Sequence, residues 1–102
     1  MSLESYSGVC TLVHGDFEWD SAKAEANLAK HGVSFAEAAT AIVDPAARFF
    51  DDPTPGESRL VALGMSIKTR VLCVVHIERG ARDRIISARR ATPTEEKEYA
   101  QI

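Results

Sequence analysis

Residues 69–91, TRVLCVVHIERGARDRIISARRA, constrain the fold more than any other stretch. Two runs rich in Val, Ile and Leu flank a Gly80-Ala81 step, which is the pattern of a β-hairpin. A lone hairpin is marginal in water, so it demands further strands or helices against it. The stretch is also cationic. Lys68, Arg70, Arg79, Arg82, Arg84, Arg89 and Arg90 lie within residues 68–90, opposed there by Glu78 and Asp83 alone. The whole chain carries a net charge of −3, and residues 1–20 hold four acids and no base. Any anion site is therefore local. A cationic hairpin on an acidic domain points to a polyanion, and RNA is the favoured one.

The rest of the chain supplies the packing. At 102 residues and 45% hydrophobic it makes one domain with one core. Residues 1–15 are set aside as a leader, disordered or tag-derived, and the domain proper is taken as 16–102. Within Val9–Trp19 there is room for a short strand broken at Gly15. Asp20 is a good N-cap for a helix over Ser21–His31, which Gly32 ends. Ser34 opens a second helix with Glu37 as its capping-box partner. Phe35, Ala38, Ala39, Ile42 and Val43 recur at helical spacing and give it one buried face. Asp44-Pro45 stops it.

Ala46–Asp51 is expected as a short strand, 52–56 as a loop, and Glu57–Gly64 and Thr69–Glu78 as strands. Arg82–Arg90 follows as the next strand. A last helix begins after Thr92-Pro93, with Thr94 as its cap and Glu95 and Glu96 at its positive end. The expected class is α+β: two N-terminal helices and a C-terminal helix packed on a small antiparallel sheet.

A turn symmetric about Gly80-Ala81 sets residues whose numbers sum to 161 opposite each other. Leu72, Val74, His76, Ile85, Ser87 and Arg89 then share one face. Val71, Cys73, Val75, Ile77, Arg84, Ile86, Ala88 and Arg90 share the other. The second is the more apolar and is expected against the helices. The first, with His76, Ser87 and Arg89, is expected to face the ligand. A slip of one residue exchanges the faces.

Several classes are disfavoured. Cys10 and Cys73 stand far apart in no CxxC pair, so there is no disulfide framework. The start lacks a signal-peptide pattern, and no apolar run reaches the roughly 20 residues of a membrane helix. His14, His31 and His76 are scattered without ligand spacing, so neither a metal nor another cofactor is expected. A cytoplasmic protein with no membrane contact is the default.

Three ordered segments carry a family resemblance. They are Phe17-Glu18-Trp19-Asp20 with Lys23 and Asn27, then Lys30-His31-Gly32-Val33-Ser34-Phe35 with Glu37-Ala38, then Arg84–Ala91 (RIISARRA) with Glu95, Glu96 and Tyr99. Together they resemble the BrnT family of ribonuclease toxins from type II toxin–antitoxin pairs. The resemblance runs from about Phe17 to Tyr99. It implies a RelE-like fold, a BrnA-type antitoxin, a toxin–antitoxin hetero-oligomer, and a metal-free endoribonuclease leaning on Arg, Lys, Tyr and Glu.

Cleavage of RNA without metal uses the ribose 2′-OH as nucleophile. It needs a base, an acid and positive charge for the transition state. Arg89 is the candidate for that charge, against a structural ion pair. Arg59, His76, Glu57 and Tyr99 complete the catalytic candidates; their bland readings are a solvated strand end for Glu57 and packing for His76 and Tyr99. Arg79, Arg82, Ser87 and Arg90 are candidates for holding RNA. Lys30 and His31 belong to the family motif; His31, before the helix-ending Gly32, is read as structural, and Phe17 and Trp19 as core. A non-catalytic module that grips nucleic acid or protein with the hairpin 68–90 is the alternative.

Overall fold

The computed structural model describes residues 10–53 and 58–101, with Arg79 described by its backbone alone. Six strands form one mixed sheet. They are β1 (Thr11–His14), β2 (Phe17–Asp20), β3 (Arg48–Asp51), β4 (Arg59–Met65), β5 (Val71–Arg79) and β6 (Arg82–Arg90), in the order β1-β2-β6-β5-β4-β3. Every neighbouring pair is antiparallel except β2·β6, which is parallel and pairs Phe17 with Asp83 and Glu18 with Arg84. The expectation of a small, purely antiparallel sheet is thus corrected. β2 joins β6 across most of the chain length, and β1 extends the sheet beyond it.

Thr11–His14 lies in the stretch set aside as leader, yet it is a strand. It hydrogen-bonds to β2 through a turn at Gly15, whose φ of 63° suits glycine. All four of its side chains are exposed, which is why no hydrophobic alternation marks it.

The helices begin and end on their local signals. In α1 (Ser21–His31) the Asp20 side chain accepts from Lys23 N–H, and Gly32 closes the helix in the left-handed conformation at φ 71°. In α2 (Phe35–Ile42) Ser34 Oγ accepts from Glu37 N–H at 3.0 Å. The expected capping box is only half made, because the Glu37 carboxylate is used elsewhere. It accepts from Arg70 Nε and Nη2 at 2.8 and 2.6 Å and from Ser66 Oγ at 2.7 Å. Arg70 also donates to the Gly32 carbonyl at 3.0 Å. This arginine of the cationic stretch therefore ties both helices to the β4–β5 turn. In α3 (Pro93–Ala100) the cap is Thr92 rather than Thr94, with a reciprocal capping box to Glu95.

α1 and α2 cover one face of the sheet. The core unites Val33, Phe35, Ala38, Ala41 and Ile42 with Trp19, Ala62, Leu72, Val74, Ile85 and Ala88. Trp19 meets Phe35 edge-on at 6.0 Å between centroids. The small residues let α2 approach closely. Gly64 lies directly beneath the Ala41 carbonyl, and a Cβ there would overlap its oxygen and stand 2.9 Å from its carbon.

Beyond Glu18 β2 leaves β6, and Asn27 takes over its role. The buried Asn27 amide donates to the Ala88 carbonyl at 2.8 Å and accepts from Ala88 N–H at 3.1 Å. It also donates to the Val33 carbonyl at 3.0 Å. One side chain thus supplies the ladder bonds of a missing strand residue, and it fixes the C-terminal end of α1 beside β6.

α3 lies on the opposite face. The pairings Arg48↔Leu63, Leu63↔Cys73 and Cys73↔Arg89 place these four on that face. Leu63 and Cys73 are buried there, yet α3 itself has no buried residue. Polar contacts hold it instead. Arg89 takes Glu95 at its start, Arg48 donates to the Gln101 carbonyl at 3.1 Å at its end, and Tyr99 Oη donates to Asp44 Oδ2 at 2.6 Å.

Candidate active site

The geometry of the site turns on one bulge. The pairs Arg79↔Arg82 to His76↔Ile85 follow the expected register. Then a shift between Val75 and His76 sets Val75 opposite Ser87 and Cys73 opposite Arg89, leaving Ile86 as the extra residue on β6. Two expectations change together. The helices cover the Leu72, Val74, His76 and Ile85 face, not the Val71, Cys73, Val75 and Ile77 face. Ser87 and Arg89 leave the His76 face and join Cys73 and Val75 on the open one.

On that open face is a cleft of about 540 Å³. Val61, Val75 and Cys73 form its floor, and Ser87 and Arg89 project from β6. Lys30 and His31, at the end of α1, line it as well, as do Asp52 and Glu95. The sequence reads His31 as structural and gives Lys30 no role beyond the family motif. Their KHG segment does end a helix, but the Asn27–Ala88 contact carries that helix end to β6. The family motif was the signal that pointed to them; nothing in their spacing did.

Arg89 grips Glu95 with both arms, Nη1 to Oε1 at 2.7 Å and Nη2 to Oε2 at 2.9 Å. Nη1 also donates to the Arg90 carbonyl at 3.2 Å. The Arg89 side chain remains 41% exposed, so an outer edge of the guanidinium is presented to the cleft. The fork raises the arginine pKa and holds the Glu95 carboxyl far down, at about 2. The Cys73 thiol beneath is pushed up by burial and stays protonated.

The Glu95 shift has a consequence for acid stability. A carboxylate depressed from 4.5 to about 2 on folding stabilises the protein fully above pH 4.5. That contribution drains away as pH falls from 4.5 toward 2. Glu37, lowered chiefly by its bond from Arg70, acts in the same direction. Denaturant midpoints of wild type and Glu95→Gln are expected to differ by a constant amount above pH 5 and to converge toward pH 2. A gap that stays constant down to pH 2 counts against the pair.

The other sequence candidates divide. His76 is 1% exposed on the helix-covered face, across the sheet from Arg89. Neither of its ring nitrogens has a hydrogen-bond partner among the described residues, and Phe49 meets it edge-on at 6.0 Å. Burial lowers its pKa, against the opposing pull of Asp83 at 3.7 Å. It is a core histidine. Arg59 sits at the start of β4 and lines a separate, smaller cleft with Asp51, Ser58 and Glu78; Asp52 borders both.

Tyr99 has its hydroxyl engaged by Asp44, which raises the phenol's pKa. Arg79 and Arg82 pair at the hairpin turn, and Arg82 is exposed. Arg90 is exposed and pairs with Leu72 of the helix-covered face. Arg84, which the cationic count also included, binds Glu18 at 2.8 Å. Glu57 lies outside the described residues.

The fold is shared with a solved ribonuclease toxin. The family described as "Ribonuclease toxin, BrnT, of type II toxin-antitoxin system" matches residues 19–95. The crystal structure of the Brucella abortus ribonuclease toxin BrnT superposes with a TM-score of 0.58 at 31% identity, covering 72% of this chain and 92% of that one. No curated protein matches. The chain belongs to the BrnT family. It is an endoribonuclease toxin, with RNA as substrate and an antitoxin as partner, rather than a binding module alone. Among the described residues no helix is long and apolar enough to cross a membrane.

Proposed function

We propose that the chain cuts RNA without a metal, by attack of a ribose 2′-OH on the adjacent phosphorus, in the cleft between Lys30-His31 and Ser87-Arg89. One observation carries this reading: a helix end and a strand, distant in sequence, bring an imidazole, an ammonium and a guanidinium to one open cleft. The positive charge that a phosphorane-like transition state needs is thereby built from side chains.

In this scheme His31 takes the proton from the 2′-OH as O2′ bonds to phosphorus. Lys30 gives a proton to O5′ as the P–O5′ bond breaks. The products carry a 2′,3′-cyclic phosphate and a 5′-hydroxyl. Ser87 donates to a non-bridging oxygen, and the exposed edge of Arg89 stabilises the developing charge. Glu95 fixes the guanidinium plane from behind. Arg79 and Arg82, at the hairpin turn, serve flanking phosphates. A BrnA-type antitoxin covers the cleft in a hetero-oligomer, and the toxin acts on RNA in the cytoplasm.

The test is cleavage of a defined RNA with EDTA present. Cutting is expected to persist, to leave cyclic-phosphate and 5′-hydroxyl ends, and to stop when the scissile ribose is 2′-deoxy. Dependence on a divalent ion, or cleavage of the deoxy-substituted bond, overturns the scheme.

A further inference from the structure

The cleft does not end at Ser87. The pairings Phe50↔Val61, Val61↔Val75 and Val75↔Ser87 lay four side chains in one row across β3, β4, β5 and β6. Paired residues share a face, so the Phe50 ring stands on the same open face as Ser87. The row next to it, Arg48 to Arg89, is roofed by α3. This row is not: Val61, Val75 and Ser87 are half-buried and Phe50 is 37% exposed. The strip runs from an exposed aromatic ring at the sheet edge, over two valines, to the cationic end made by Lys30 and Arg89.

Its neighbour Phe49 is exposed too, at 50%. Phe49 turns to the other face, where its ring meets His76. Among the described residues the Phe50 ring has no aromatic partner. At about 4.8 Å between strands, Phe50 lies roughly 14 Å from Ser87, a distance a single strand covers within a few nucleotides. An exposed ring at one end and a phosphate-binding arginine at the other are the two elements with which sheet surfaces hold single-stranded nucleic acid.

We infer that Phe50 stacks on a nucleobase of the bound RNA, a few nucleotides from the phosphate held at Arg89. The occupant is one unpaired base of any identity, since every base offers a π-face. The inference rests on the reading of the cleft as the RNA site and adds to it a binding residue on a strand that none of the catalytic candidates occupies.

The experiment uses a short single-stranded 2′-O-methyl oligonucleotide, which lacks the nucleophile and is bound but not cut. Its affinity for the full chain is read by fluorescence anisotropy, so the result does not depend on cleavage. Phe50→Ala is expected to weaken binding by about 5- to 150-fold, and Phe50→Trp to keep it. Phe50→Leu, which keeps an apolar side chain without the π-face, is expected to behave like Phe50→Ala. The ring is exposed on an edge strand, so folding is expected to survive, and a circular dichroism melt verifies that.

Equal affinity of wild type and Phe50→Ala overturns the inference and leaves the strip to a protein partner. Full affinity in Phe50→Leu overturns it too, by showing burial without stacking. Loss of binding in Phe50→Ala alongside a failed cleavage test sinks the metal-free scheme and leaves the stacking site standing. No binding by wild type overturns both.

Discussion

Replacing Arg89 by alanine is expected to lower kcat/KM for RNA cleavage by about 10²- to 10³-fold, the usual cost of losing one preorganised donor to a transition-state oxyanion. Arg89→Lys is expected to lose most of that as well, because an ammonium keeps the charge but cannot hold Glu95 and a phosphate oxygen on two edges of one plane. Arg89 also clamps the start of α3. Loss of activity alone would therefore not separate charge at phosphorus from a loosened helix. Glu95→Gln makes the distinction. It breaks the same ion pair while leaving the guanidinium in the cleft, and it is expected to keep activity within about tenfold of wild type. If both variants fall equally far, Arg89 is a clamp and the transition-state charge comes from elsewhere. If Arg89→Ala cuts at the wild-type rate, the proposed site is wrong.

The second large effect concerns the scaffold. Gly64→Ala is expected to destabilise the protein by about 3 kcal/mol or more, at or beyond the upper end for overpacked cores. The added methyl would overlap backbone, the Ala41 carbonyl, rather than the tip of a side chain. Relief requires α2 to lift from β4, which opens the contacts of Phe35, Ala38 and Ile42 together. Against a total stability of about 5–15 kcal/mol, such a loss is readily seen in a denaturant midpoint. Gly15→Ala is the matched control. A Cβ there meets open space and the strain is only that of φ 63°, so about 1–2 kcal/mol is expected. A Gly64→Ala midpoint no lower than that of Gly15→Ala would show that the helix sits less tightly than described.

Much of this architecture could be read from the residues, because its signals are local. Asp20, Ser34 and Gly32 mark helix ends with side-chain and backbone chemistry that acts within four positions. Glycine 80 sets a turn whose register holds out to His76 and Ile85. The failures share another cause. Ile86 bulges without any mark in the sequence, since I-I-S-A satisfies either register, and that single residue moves Ser87 and Arg89 across the sheet. The choice of face failed because both faces of β5 carry buried residues. α3 roofs Leu63 and Cys73 while α2 covers Leu72 and Val74, so counting apolar residues cannot rank them. What favours the latter is small size, at Ala62, Gly64 and Ala88, which admits a helix backbone. The place of Lys30 and His31 in the cleft depends on β2 pairing in parallel with a strand more than sixty residues away, and no window along the chain reports that.

That long pairing also bears on when the enzyme comes into being. A growing chain leaves the ribosome N-terminus first. Residues 30–31 emerge early, but Ser87 and Arg89, which line the same cleft, come late, and β2 has no partner but β1 until β6 exists. Chains abandoned before Arg82 hold half a cleft and an unfinished sheet. On the proposed site, a fragment that ends before Arg82 lacks both Ser87 and Arg89 and is expected to cut no RNA.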